Sequence, residues 1–220
     1  LSIRRQRQMC IRDRYKAMNT EFDFYSFGKK LGRLKLHLPG THNVINSVAA
    51  AAVGIELGIE FEKIRKAFVE FTGVSRRLEV KARKNNIVFM DDYGHHPTEI
   101  KATLEAVKSI WPKRRLLVIF QPHRYTRTRD LAEKFGPSFD SANQVWLTEI
   151  YSAGEKPIPG ISSSLILKSF PAEKRENVRL ISDNEVLIEE VVKELRPHDV
   201  LLTLGAGDIY KLGEEILKKI

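Results

Sequence analysis

The sequence predicts an α/β protein with a mostly parallel, doubly wound sheet, preceded by a shorter strand-and-helix segment of different pattern. Three observations carry that expectation. Past residue 80, short apolar runs recur near 87–90, 116–120, 144–148, 178–181 and 200–204 with helical stretches between and after them, an alternation that argues a mostly parallel sheet covered on both faces. One of these runs, IVFM, leads through the loop DDYGHH to Pro97, well placed as the first residue of a helix toward Val107. Asp91, Asp92, Tyr93, His95 and His96 thus fall between strand and helix, at the sheet edge where open α/β folds bind ligands. Two uses of that loop stay open: a polar turn in which His96 or Thr98 caps the helix, or a binding site.

A chain of 220 residues, 42% hydrophobic and 30% charged, is a globular composition with room for one large or two small domains. The net charge of +9 is unevenly placed: Arg4, Arg5, Arg7, Arg12, Arg14 and Lys16 against Asp13 put +5 of it in the first sixteen residues. That leaves weak support for a nucleic-acid partner and mild support for anionic small substrates. Cys10 stands alone, which excludes an intramolecular disulfide and a CxxC metal site and suits a reducing compartment. The basic leader is not followed by a signal-type apolar run, and the most apolar stretch, 48–59, is interrupted by Gly54, Glu56 and Gly58 and is shorter than a span of about 20 residues. The expectation is a cytoplasmic protein without nucleic-acid or membrane partners.

Residues 1–14 share no pattern with the rest of the chain and are read as a foreign or disordered leader, a basic arm for RNA being the alternative. Phe22 and Phe24 alternate with polar residues, as do Leu34, Leu36 and Leu38, so two strands with one buried face each are expected, Pro39-Gly40 ending the second. Small and apolar residues from 44 to 57 suit a tightly packed helix with Thr41 or Asn43 near its N-cap and Gly58 at its end. Phe61, Ile64, Phe68 and Phe71 mark the stripe of a second helix closed by Gly73. The segment 73–80, GVSRRLEV, reads as a joint, with a domain boundary near residue 75.

Asn43 and Asn46, at i and i+3 on a helix, present two carboxamides able to pair with adenine N6 and N7, or else cap and pack. Arg76 and Arg77 either clamp phosphates or pair with Glu79 at the surface. QPHRYTRT succeeds the strand near 116–120, so His123, Arg124 and Arg127 form a cationic cluster at the same sheet edge as the 91–96 loop; a solvated helix start is the other reading. Residues 203–208, TLGAGD, read as a structural turn, although a helix N-terminus there also suits an anion. The pattern GxxxxGK[ST] is absent.

Taken in order, LPGTHNVINSVAAAA, GVSRRLE, DDYGHHPTEI, FQPHRYTRT, LTEIYSAGE and LLTLGAGDI resemble the Mur ligases, over roughly residues 21–217. The resemblance implies a parent protein of three domains. Residues 15–74 would be the end of a central ATPase domain, in strand and helix remnant, and 75–220 a complete Rossmann-like C-terminal domain. It implies ATP as cofactor with Mg2+, the magnesium ligands and phosphate loop lying in parts this chain does not contain, so that no metal site is expected here. Within the family it points to the branch that joins L-alanine to UDP-N-acetylmuramate through an acyl phosphate. It assigns Asn43 and Asn46 to the adenine site, Arg77 and Asp92 to ATP and catalysis, and Tyr93, His95, His123, Arg124 and Arg127 to the surroundings of L-alanine, with the arginines as carboxylate clamp. Domain closure would bring Arg77 and Asp92 onto the nucleotide and exclude water from the acyl phosphate. This chain alone is expected not to ligate. Two rivals remain: a ligase that joins a whole peptide, which the run from Tyr93 to His96 disfavours, and a non-catalytic nucleotide- or RNA-binding module acting through the basic leader.

Overall fold

A computed structural model describes residues 19–220; the leader expected over 1–14, Cys10 and the composition change at Tyr15 lie outside the described residues. The chain divides between Gly73 and Val74 into two compact units, each described by itself.

In the first unit β1 (Thr20–Ser26) and β2 (Lys29–Leu36) pair antiparallel, with Phe22 opposite Leu34. Alternation puts Phe22, Phe24, Leu34 and Leu36 on one buried face. β2 begins earlier than the leucine alternation indicates and stops at Leu36, short of Leu38. Helix α1 (Thr41–Glu56) lays Val44 and Ala51 on that face. Its N-cap is Gly40 at φ 97, so Thr41 and Asn43 are helical residues rather than the cap, and Asn43 instead donates Nδ2 to the Pro39 carbonyl at 2.7 Å. Gly58 at φ 76 sits just past the helix end, where its N–H reaches the Ile55 carbonyl. Helix α2 (Phe61–Glu70) is shorter than its aromatic stripe: Ile64 is buried, whereas Phe71 is the extended residue after the last turn and is exposed.

The second unit is a six-stranded sheet in the order β3-β4-β8-β5-β6-β7. Its strands are β3 (Glu79–Lys84), β4 (Ile87–Asp92), β5 (Leu116–Phe120), β6 (Gln144–Leu147), β7 (Val178–Leu180) and β8 (Val200–Leu204). All neighbours pair parallel except β3, an edge strand antiparallel to β4 that the apolar pattern does not announce. The hairpin between them turns at Asn85 and Asn86, φ 52 and 62, the paired positive values of a type I′ turn.

Helices α3 (Pro97–Ile110), α4 (Tyr125–Ser138) and α5 (Ser164–Ser169) cover one face; α6 (Asn184–Glu194) and α7 (Tyr210–Lys219) cover the other. β5 shows why: Leu116, Val118 and Phe120 pack with Leu104 of α3 and Phe135 of α4, while Leu117 and Ile119 pack with Leu187 of α6 and Ile216 of α7. A strand buried on both faces is apolar at every position, which is what makes these strands legible as continuous runs. Because β8 returns between β4 and β5, the loops leaving all three open at one edge of the sheet. Among the described residues no helix is long and apolar enough to cross a membrane.

Candidate functional site

The two aspartates expected in a loop are the last residues of β4, and both are buried. Consecutive strand residues face opposite sides of a sheet, so their partners differ. Asp91 receives the Thr203 hydroxyl at 2.7 Å and Arg76 Nε at 2.8 Å. Asp92, 3% exposed, accepts the N–H of Leu78 at 2.8 Å, that of Gly94 at 2.7 Å and the Thr103 hydroxyl at 3.2 Å. Burial pushes its carboxyl above the ordinary range, against the pull of the two N–H donors. Asp92 therefore braces the loop from within and turns no free oxygen outward.

The adjacent arginines at the joint diverge. Arg76 has φ 59, and its side chain runs inward: besides Asp91 it donates to the carbonyls of Gly207 at 2.9 Å and Gly205 at 2.6 Å, with the rings of Tyr93 and Tyr210 lying 5.2 and 4.7 Å from its Cζ. Its N–H, not its guanidinium, meets Glu79, so the expected surface pair with Glu79 gives way to a buried one with Asp91. Arg77 is 49% exposed, 3.8 Å from Glu99, with its Cζ 5.4 Å from the Tyr93 ring.

Beyond Tyr93, rings succeed one another along the sheet edge. Tyr93 meets His95 edge-on at 5.6 Å, His95 lies 5.4 Å from His123, and His123 stacks on Tyr151 at 5.6 Å and 13°. His96 caps α3 by accepting the Thr98 N–H, and Glu99 reaches back to the N–H groups of His95 and His96. Burial, then the nearby charges of His95, Arg127 and Arg124, pushes His123 down to about 4, so its ring is neutral at pH 7. Arg127 donates to both the carbonyl and Nδ1 of His123, at 2.9 and 3.1 Å. Since a guanidinium only donates, Nδ1 must accept, and the ring proton is assigned to Nε2.

Arg124 and Arg127, expected as a pair, accordingly take different positions. Arg127 is committed to His123. Arg124 is the N-cap of α4 at φ 76, a costly conformation for a residue with a Cβ, held because its N–H donates to the Tyr151 carbonyl and its own carbonyl accepts from Thr128. Its side chain is 50% exposed, with Glu155 at 4.0 Å as its one ion-pair partner among the described residues. Glu155 caps α4, taking the Thr126 hydroxyl at 2.6 Å and the Thr126 N–H at 3.0 Å. Those bonds hold its carboxyl below the ordinary range. Tyr151 and Glu155 both fall in LTEIYSAGE, one of the six motifs of the resemblance, yet sequence reasoning gave neither a role; the placement of that motif after β6 at the same edge was the available signal. Gly207 is required beside it: a Cβ there would run into the Tyr151 ring and the Gln121 side chain.

In the first unit Asn46 lies exposed on α1, and the half-buried Asn43 donates Nδ2 to the Pro39 carbonyl. Among the described residues no group of three or more His, Cys, Asp or Glu is placed to hold a metal ion.

Residues 76–207 match the family described as "Mur ligase, glutamate ligase domain". The chain is 51% identical over 202 residues to the UDP-N-acetylmuramate–L-alanine ligase of Endomicrobium trichonymphae, covering 92% of this chain and 44% of that protein. It is 51% identical over 189 residues to that of Desulfatibacillum aliphaticivorans, covering 86% and 41%. Among solved structures it is similar to the UDP-N-acetylmuramate-alanine ligase of Thermotoga maritima, with TM-score 0.73 and 28% identity over 92% of this chain and 43% of that one. The chain thus spans less than half the length of these relatives.

Arg76→Met is expected to strand the buried Asp91 carboxylate and lower unfolding free energy by roughly 3 kcal/mol, while adding Asp91→Asn recovers part of that loss; guanidinium denaturation reads both, and a loss under about 1 kcal/mol would show the pair to be peripheral. His123, with a folded-state value of about 4 against an ordinary 6.5, takes its proton first in the unfolded chain on acidification. Stability should therefore fall as pH drops from 6.5 toward 4, and His123→Gln should flatten that slope in pH-dependent thermal unfolding; parallel slopes would contradict the assignment.

Proposed function

This chain belongs to the Mur ligase family, and on that premise we propose that it is the amino-acid-binding part of an ATP-dependent ligase joining L-alanine to UDP-N-acetylmuramate in cytoplasmic peptidoglycan precursor synthesis. The observation that carries the reading is Arg124. A strained backbone, fixed from both sides, presents a half-exposed guanidinium beside the ring row at the binding edge of the sheet.

Its fork of donors suits an α-carboxylate. A neutral His123 leaves the local positive charge on Arg124 rather than spreading it over the ring, and Arg127 keeps that ring in place. The row of rings from Tyr93 to Tyr151 offers an aromatic wall whose ring faces exclude water from one side of a small substrate. Orienting the amine in this way turns an encounter between two bound reactants into an aligned one. ATP, when bound, supplies the phosphoryl group that activates the muramate carboxylate. Of this chain's residues, Asn43 and Asn46 are assigned to adenine and Arg77 to the nucleotide. Asp92 acts indirectly, by tying the N–H of Leu78 in the joint and that of Gly94, just past Tyr93, to one buried carboxylate. Magnesium, which the family also uses, is given no donor set by the described residues, and no step is derived through it.

Titrating the chain with L-alanine, monitored through the arginine side-chain resonances, tests the reading. Saturable binding is expected, weakened about tenfold or more in Arg124→Ala, as for loss of a charge-assisted pair. Binding that ignores Arg124, or none at all, would overturn it; preference for an L-alanyl tripeptide would move the chain to the peptide-joining ligases.

A further inference from the structure

The loop from β6 to α5 carries a charge that the reaction as described leaves unused. Glu155 is brought to Arg124 by a turn through Ala153 and Gly154, at φ 51 and 84, and the loop is locked to β5's exit by the Tyr151 N–H on the Pro122 carbonyl. The carboxylate is 20% exposed. Its oxygens take the Thr126 hydroxyl and N–H, and the Tyr125 N–H adds to them, so of about four acceptor positions on a carboxylate one is left over. A residue that merely blocked Arg124 would engage it bidentately; Glu155 instead stands 4.0 Å off, outside hydrogen-bonding distance. A cation and an anion are therefore held side by side, paired across 4.0 Å without a direct hydrogen bond between them.

A free α-amino acid is a zwitterion with its opposite charges on adjoining groups. We propose that Glu155 receives the α-ammonium group while Arg124 receives the α-carboxylate, so that the pair selects free amino acids over carboxylic acids lacking the ammonium. This rests on the reading of Arg124 as the carboxylate receptor. Glu155 has two roles in it: its hydrogen bonds cap α4, and its charge reads the ligand. Glu155→Gln separates the two, because the amide oxygen still accepts the Thr126 N–H while the charge is gone.

The test titrates the 220-residue chain with L-alanine and with L-lactate, which keeps the carboxylate and shape but puts a neutral hydroxyl in the ammonium's place. The wild-type chain should prefer L-alanine by about tenfold or more, the scale of a charge-assisted hydrogen bond. Glu155→Gln should weaken L-alanine and leave L-lactate unchanged or tighter, bringing the two together, and Glu155→Asp should restore part of the preference. Exchange protection of the α4 amides shows whether each variant keeps its helix. A preference that survives Glu155→Gln, or an equal weakening of both ligands, would reduce Glu155 to a helix cap and overturn the inference while leaving Arg124's role standing. Failure of the wild-type chain to bind either ligand would overturn both.

Discussion

The guanidinium of Arg76 is the contact on which the edge of the second unit depends. It joins the joint before β3 to Asp91 at the end of β4 and to two carbonyls in the loop after β8, and its flat faces carry Tyr93 and Tyr210. Its own carbonyl takes the Tyr93 N–H at 2.7 Å. Segments more than a hundred residues apart in sequence are thereby tied to one charged group. Removing either member of a buried pair leaves the other uncompensated, so such a group fixes geometry more firmly than its net contribution to stability indicates. Tyr93, placed by Arg76, starts the ring row that ends on Tyr151.

Charge is what the fold sorts at this edge. The sequence offers His123, Arg124 and Arg127 as one cationic cluster. Burial removes the charge from His123, and Arg127 turns inward to that ring. Arg124 alone is turned outward, by a backbone conformation that costs energy and is held by hydrogen bonds on both sides. On the proposed reading, one outward cation beside one fixed anion, Glu155, would make a more discriminating receptor than three loosely placed positive charges.

The parallel strands were legible because both faces of the sheet are covered, leaving apolar side chains at nearly every position of β5 and β8. The Mur ligase resemblance was legible because six motifs occur in order, and residues 76–207 match that family. β3 was hidden by its charges, Glu79, Lys81, Arg83 and Lys84, at a sheet edge, although Asn85-Asn86 marked its turn. Asp91 and Asp92 read as loop because two carboxylates inside a strand are costly unless satisfied; their partners, Thr203, Arg76 and Leu78, could not be inferred from neighbouring positions. The divergence of Arg76 from Arg77, and of Arg124 from Arg127, turns on single positive φ values that residue identity does not reveal.

The most direct measurement of the central claim is a crystal structure of this chain soaked in L-alanine. The account places the ligand carboxylate within hydrogen-bonding distance of the Arg124 guanidinium, alongside the rings of His123 and Tyr151. Clear density for L-alanine elsewhere, with Arg124 facing solvent, would contradict it.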